Sequence, residues 1–320
     1  MTDDRLLITG AEGFVGGHVL RALTGGRLAG ATIGAFSHTS RVDGEFGAFG
    51  GLDITQQASI DAAIAAFQPT HILHLAGISA TTGDDAWQRA LWETNTFGPL
   101  NIVNAIKRLA PACHFIFIGS GLVYGDSAAS GLAVDETAAL APNNAYAVTK
   151  AAADLALGAE PRSGVKITRL RPFNHTGPGQ TEAFVIPRFA AQIARCEAGL
   201  QPPLITTGDL SAERDYLDVV DAVDAYIRVI ERSETLPPGL ILNIASGRPR
   251  CIRDVLDQLV AMSRVELTVV SAAATTPAGP PSRYAGDARL ARRLLDWAPS
   301  RDFDATLRDV LDHWRRIYVV

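Results

Sequence analysis

An α/β protein is expected: a parallel sheet doubly wound with helices, joined to a smaller, mixed C-terminal part. Short apolar runs alternate with amphipathic helical segments as far as residue 171, the order in which crossover helices link parallel strands. One run, residues 71–78 (HILHLAGI), is nearly all apolar, as a strand covered on both faces must be. Beyond Pro172 the alternation stops and single elements stand between polar loops.

The first strand is residues 6–9, followed by Gly10, Gly13 and Gly16 at a three-residue spacing. An apolar helical pattern then runs through Phe14, Val15, Val19, Leu20 and Leu23. Strand, tight turn and helix are the parts of a dinucleotide site of Rossmann type. Gly10 turns the chain, Gly13 leaves room for a pyrophosphate, and Gly16 lets the helix pack close to the sheet. The helix N-terminus then faces the phosphates with free N–H groups.

The second strand is expected at 31–36. No carboxylate follows it before Asp43, whereas Arg41 does. Arg41 suits a 2′-phosphate, so NADP is the expected cofactor and NAD the alternative; a solvated loop arginine is the plainer reading of Arg41. A third strand is expected at 51–54. Asp53 there either meets the adenine end of the cofactor or caps the next helix, where Thr55 and Ser59 also qualify. That helix covers 58–67, and Pro69 stops it.

In the fourth strand His71 and His74 point to opposite faces, so no metal site is expected. Ala76-Gly77 lets a cofactor pass close to the backbone. Residues 86–109 form a long helical region with a bend expected at Gly98-Pro99. Within it Asn95 either holds a water or backbone group of the site or is an ordinary helix polar residue. The fifth strand, 114–119, ends at Ser120. An irregular stretch, 126–144, precedes a helix at 145–157, and a sixth strand covers 165–171.

The second half begins with the polar loop 174–180. Helices are expected at 187–197, 215–230, 252–261, 288–295 and 304–317, and strands at 240–245 and 266–270. The expected dinucleotide domain is residues 1–172 with returning segments about 208–245. Residues 173–207 and 246–320 then form the substrate domain.

Composition narrows the function. The 320 residues, 47% hydrophobic, suffice for a full core. A net charge of −5 gives no basic field for nucleic acid. Cys113, Cys196 and Cys251 fit neither a disulfide framework nor a metal spacing, so a reducing cytoplasm is expected. The acidic start (Asp3, Asp4) runs straight into the first strand, so no signal peptide is expected. No apolar run reaches the roughly 18 residues of a membrane span.

The chemistry centres on Tyr146 and Lys150, one helical turn apart and on one face. A phenol with an ordinary pKa near ~10 is a poor base at neutral pH. A neighbouring ammonium is expected to lower that pKa and to hold a nicotinamide ribose hydroxyl. Ser120, at a strand's C-terminal end, can bond the substrate oxygen beside the hydride carrier. An ordinary surface pair four residues apart is the competing reading, but the upstream serine and glycine turn stand against it.

With these residues in place, the chain resembles the extended short-chain dehydrogenase/reductases that act on nucleotide sugars. The likeness rests on TGAEGFVG, LDIT, HLAG, NTFG, IGSGLVYG, YAVTK, RPFNHTGPGQ, RDYLDVVDAVDAY and the late WAP turn, and spans almost the whole chain. It implies Ser120, Tyr146 and Lys150 as catalytic residues. It also implies Gly10, Gly13, Phe14, Val15, Asp53, Ile54, Ala76 and Lys150 at the cofactor, with Gly16, Arg41, Gly77 and Tyr146 beside them. Ser79, Asn174, Arg188, Arg214 and Arg283 are implied at the substrate.

RPFNHTGPGQ is most similar to the branch holding GDP-mannose 4,6-dehydratases and GDP-4-keto-6-deoxymannose reductases. Dehydratases there carry an acid two residues after the catalytic hydroxyl. This chain has Leu122, which cannot donate a proton. The family's Arg-Pro pair for the nucleotide is also missing from TTPAGPPSRYAGD, which offers only Arg283. The resemblance therefore implies reduction of the C4 ketone of a GDP-linked 4-keto-6-deoxyhexose by NADPH. A 4-epimerase, a 4,6-dehydratase and a non-catalytic dinucleotide sensor follow as alternatives. The apolar helices 86–109 and 145–157 are expected to pair across a two-fold axis as a four-helix homodimer.

Overall fold

The structure, a computed structural model, describes residues 4–79, 84–271 and 283–318. The first half builds β1 (Arg5–Thr9), α1 (Phe14–Thr24), β2 (Thr32–Ser37), β3 (Arg41–Asp43), β4 (Gly47–Gly51), α2 (Gln57–Phe67), β5 (His71–His74), α3 (Asp85–Trp92), α4 (Gly98–Leu109), β6 (His114–Ile118), α5 (Ala145–Leu157) and β7 (Lys166–Pro172). The second half adds β8 (Asn174–Thr176), α6 (Val185–Glu197), β9 (Leu204–Thr207), β10 (Glu213–Asp218), α7 (Val219–Glu231), β11 (Leu240–Ile244), β12 (Pro249–Cys251), α8 (Ile252–Ala261), β13 (Thr268–Ser271), β14 (Arg283–Tyr284), α9 (Arg289–Leu295) and α10 (Phe303–Tyr318).

The large sheet runs β11-β7-β6-β5-β1-β2-β4-β3, and every pairing is parallel except β3 with β4. Strand order reverses between β1 and β5, so a crevice opens above the C-terminal ends of those strands. Alternation of side chains supplies both faces. Leu6 and Ile8 enter a core with Val19, Val223 and Tyr226, while Leu7 enters another with Ile60, Ile102 and Phe115. A third core joins α6, α8 and α10 through Phe189, Leu256, Leu307 and Leu311. Smaller sheets, β12-β10-β14 with β8 on β10, and β13-β9, lie in the second half.

Several expectations need correction. The third strand lies earlier than 51–54, as β4, and forms a hairpin with β3. It fits because Gly50 faces the Phe36 ring, where a Cβ would lie 2.6 Å from it. Residues 86–109 are not one continuous α-helix. Instead a π-helical turn, Glu93–Phe97, joins α3 to α4. The wider turn makes room for Pro99, whose ring would press on the carbonyl four residues before it.

Residues 215–230 are not one helix. The first four belong to β10, and Asp218 caps α7 by accepting the Val220 N–H. Tyr216 and Leu217 are both buried, because the two faces of β10 pack into different cores; a run without alternation read as helix. Of the returning segment 208–245, β11 edges the large sheet whereas β10 lies in the small one. No described helix is long and apolar enough to cross a membrane.

Candidate active site

Above the crevice lies a cleft of about 450 Å³. Its floor is the glycine turn. Gly10 has φ +67, and a Cβ on it would lie 2.7 Å from the Ala76 amide. The left-handed backbone and the close approach of 75–76 both demand glycine. Gly13 is the N-cap of α1 and brings no capping side chain, which leaves the helix start open to an anion. A Cβ on Gly16 would sit 2.4 Å from the Ala11 carbonyl. Gly16 is therefore required by the turn itself, where close packing on the sheet was expected.

The cleft wall carries Ser120, Tyr146 and Lys150, along with Phe14, Val15, Gly77, Ser79 and Asn174. Ser120 follows β6, and its Oγ accepts the Leu122 N–H at 3.1 Å. Asn144 caps α5 by accepting the Ala147 N–H at 2.9 Å, which fixes the start of the helix bearing Tyr146. The hydroxyls of Tyr146 and Ser120 stand near each other on this wall. One turn on, Lys150 Nζ donates to the Ile118 carbonyl at 3.0 Å and lies 5.2 Å from the Phe117 ring centroid.

Burial dominates the electrostatics. It lowers the Lys150 ammonium to a pKa of about 8 and pushes the Tyr146 phenol up, with the Ser120 hydroxyl pulling it partly back. The expected lowering of the phenol by Lys150 is thus not what governs it. Desolvation governs the phenol, and the ammonium donates to the Ile118 carbonyl. A phenol held up in this way is protonated at neutral pH and suited to giving a proton.

Asn95, on the π turn, takes the backbone reading. Its Oδ1 accepts the Ile78 N–H and its amide donates to the Ile78 carbonyl, each at 2.9 Å. This holds the strand exit beside Gly77, where a Cβ would lie 3.0 Å from Asn95 Oδ1 and 3.3 Å from Lys150 Nζ. Behind the site, the fully buried Asp154 binds Arg169 Nη1 at 2.8 Å, and Arg171 Nε at 2.9 Å and Nη2 at 2.8 Å. Arg171 also donates to Tyr124, which donates to Asn243. The carboxylate thereby ties α5 to β7.

Other expected residues lie off the cleft wall. Arg41 pairs with Glu12 at 3.1 Å and Asp43 at 3.9 Å. Asp53 accepts from Thr55 N and Oγ1 and stands 3.8 Å from His38. It does not cap α2, whose N-cap is Gln56. Ile54 packs over Gly98, and the Ala76 N–H donates to Thr9 Oγ1. Arg188 donates to the carbonyls of Glu182 and Ala183, Arg214 to the Glu213 carbonyl, and Arg283 pairs with Glu213 at 3.6 Å.

His71 and His74 bond hydroxyls, Ser233 at 3.0 Å and Thr9 at 2.7 Å. The segment TTPAGPPS, 275–282, lies outside the described residues.

Sequence reasoning missed His175, Thr176, Gln180, Phe184, Tyr216 and Tyr284 on the wall. The first three stand in RPFNHTGPGQ, so the motif itself was the signal. His175 stacks on Phe14 at 6.2 Å, and Thr176 Oγ1 and Gln180 Oε1 are buried without a partner.

Residues 6–245 match the NAD dependent epimerase/dehydratase family. The chain is 32% identical over 311 residues to the GDP-6-deoxy-D-mannose reductase of Pseudomonas aeruginosa, covering 97% of each. It is 29% identical to a UDP-glucose 4-epimerase of Azospirillum brasilense, over 98% of this chain and 92% of the other. The solved structure of RMD from Pseudomonas aeruginosa complexed with NADPH superposes with a TM-score of 0.84, at 30% identity, covering 98% of this chain and 99% of that one. With the glycine turn, the serine-tyrosine-lysine cluster and these likenesses together, the chain belongs to the NAD dependent epimerase/dehydratase family, the extended short-chain dehydrogenase/reductases that modify nucleotide sugars with NAD(P).

Proposed function

We propose that the protein is a reductase that uses NADPH on the C4 ketone of a nucleotide-linked 4-keto-6-deoxyhexose, with GDP as the nucleotide. One observation carries this reading: the half-buried Tyr146 phenol stands with Ser120 and Lys150 on the cleft wall that also holds the glycine turn. Reduction needs a proton donor at that point, and Tyr146 is one. The turn formed by Gly10, Gly13 and Gly16 suits a dinucleotide, because Gly13 brings no side chain to the start of α1 and leaves its N–H groups open to a phosphate.

When bound, the nicotinamide supplies the hydride. Ser120 orients the ketone oxygen, and Tyr146 gives its hydroxyl proton to that oxygen as C4 gains the hydride. Asn174 and Ser79, on the cleft wall, face the sugar diphosphate. Arg214, the register partner of Tyr284, is the arginine best set to join them. Arg188 and Arg283 reach the diphosphate after leaving their present carbonyl and carboxylate partners. Arg41 exchanges Glu12 for the 2′-phosphate of NADPH, and Asp53 and Ile54 serve the adenine end. Leu122 leaves no acid two residues after Ser120, which disfavours dehydration.

Residues 1–172, with returning segments from 208–245, form the dinucleotide part in this reading, and 173–207 with 246–320 the sugar part. The unpaired thiols of Cys113, Cys196 and Cys251 suit a reducing cytoplasm. Two copies pair through α3, α4 and α5, where Phe97 is 53% and Leu155 64% exposed beside Trp92. Light scattering then reads twice the 33.9 kDa chain mass, and a monomer refutes the pairing.

The reaction is tested by following NADPH consumption with GDP-4-keto-6-deoxymannose. Tyr146→Phe is expected to lower kcat by about 10²- to 10⁴-fold with NADPH binding retained. Interconversion of UDP-glucose and UDP-galactose without added nicotinamide would replace this reading by epimerisation. Unchanged activity of the Tyr146 variant would remove the proposed donor.

A further inference from the structure

Ser120 is held from a distance. Gly121, the next residue, is packed under the Phe173 ring, where a Cβ would meet ring carbon at 2.9 Å. Phe173 in turn packs against Tyr284, with ring centroids 5.7 Å apart. Tyr284 lies on β14, and its hydroxyl donates to the Gly121 carbonyl at 2.8 Å, across 163 residues of sequence.

Gly121 and Gly125 stand at the spacing of one α-helical hydrogen bond. The phenol thus holds the first residue of the turn that follows Ser120. That turn is irregular: Gly125 has φ 47 and ψ −123, and a Cβ there would fall 1.8 Å from the Ala141 carbonyl. It is also the turn whose Leu122 N–H binds Ser120 Oγ. On its own strand, Tyr284 sits opposite Arg214 of β10. Beyond it, the Gly286 N–H is held by the buried Asp215 carboxylate, so β14 is anchored where Tyr284 leaves it.

We infer that Tyr284 is a positioning residue: its hydroxyl braces the 121–125 turn and so sets the Ser120 hydroxyl against Tyr146. It does this from the small sheet that carries Arg214, linking the sugar side of the cleft to the proton-donating pair. The inference rests on the roles given above to Ser120 and Tyr146.

Tyr284→Phe tests it, because the ring and its packing on Phe173 stay while the hydroxyl goes. With the bond to the Gly121 carbonyl gone, the turn shifts under Ser120. With NADPH and GDP-4-keto-6-deoxymannose, kcat is expected to fall about five- to tenfold, the weight of one neutral hydrogen bond, with KM unchanged. NADPH affinity and Tm are expected to stay at wild-type values.

A second readout needs no substrate. In protein labelled with ¹³C at the tyrosine ring, and with the Tyr146 signal assigned through Tyr146→Phe, the Tyr146 phenol is expected to titrate at higher pH in the Tyr284 variant, as the Ser120 hydroxyl moves away from it. An unmoved Tyr146 titration overturns the inference. So does a joint fall of kcat, NADPH affinity and Tm, which would mark a structural role. If the wild type reduces no keto-sugar, the functional reading fails, while the titration still decides for or against Tyr284.

Discussion

Lys150 should leave a signature in stability as well as in catalysis. The residue is only 5% exposed, and burial brings its pKa from 10.5 to about 8. Between those values the unfolded chain keeps a proton that the folded chain has released. Stability must therefore rise with pH through that window. At about 1.36 kcal/mol per pH unit, the full rise is about 3 kcal/mol. Below about pH 8 the folded chain carries the buried charge and bears the whole penalty; above about pH 10.5 the penalty is gone.

Lys150→Met removes the titrating group. Losing the hydrogen bond to Ile118 and the contact with Phe117 changes the offset between the two proteins but not its slope with pH. Urea unfolding of both, without cofactor, from about pH 7 to about pH 10.5, should show the wild type gaining about 3 kcal/mol on the variant. A difference that stays flat across this range would refute a desolvated ammonium. The account of why Tyr146 escapes its influence would fall with it.

Asp154→Asn should destabilise the protein by about 3–5 kcal/mol, because two buried guanidiniums lose the one carboxylate that compensates them. Urea unfolding at neutral pH measures this, and a change below about 1 kcal/mol would mean that Asp154 does not tie α5 to β7. Gly10→Ala forces a side chain into left-handed backbone and onto the Ala76 amide, at about 1–2 kcal/mol for the conformation alone. NADPH affinity, read by fluorescence titration, should drop at least about tenfold, since the displaced turn also carries the start of α1. Wild-type affinity in that variant would take the glycine turn out of the cofactor site.

Much of this protein is written in short-range pattern. Short apolar runs and period-3.6 spacing mark most strands and helices of the large sheet, because its inner strands bury both faces and its helices bury one. The glycine turn is legible because backbone conformation at Gly10 is a local demand. The four-residue step from Tyr146 to Lys150 puts both on one side of a helix whatever the rest of the chain does. Where the local pattern was ambiguous, the reading slipped. The run Asp215–Asp218 lacks alternation because β10 is covered on both sides, and the π turn at Glu93–Phe97 answers a steric conflict at Pro99.

Folding settled what depends on partners far away in sequence. How deep Lys150 and Tyr146 lie sets their proton affinities, and depth is a property of the packed cleft, so burial and not the neighbouring cation governs the phenol. Asp154 meets Arg171, and Tyr284 meets Gly121 across 163 residues, only because β7 and β14 are brought there by sheets that no local spacing encodes. Residue order thus specified the chemical groups and their local geometry, while long-range packing specified their solvation and the bonds that hold them in register.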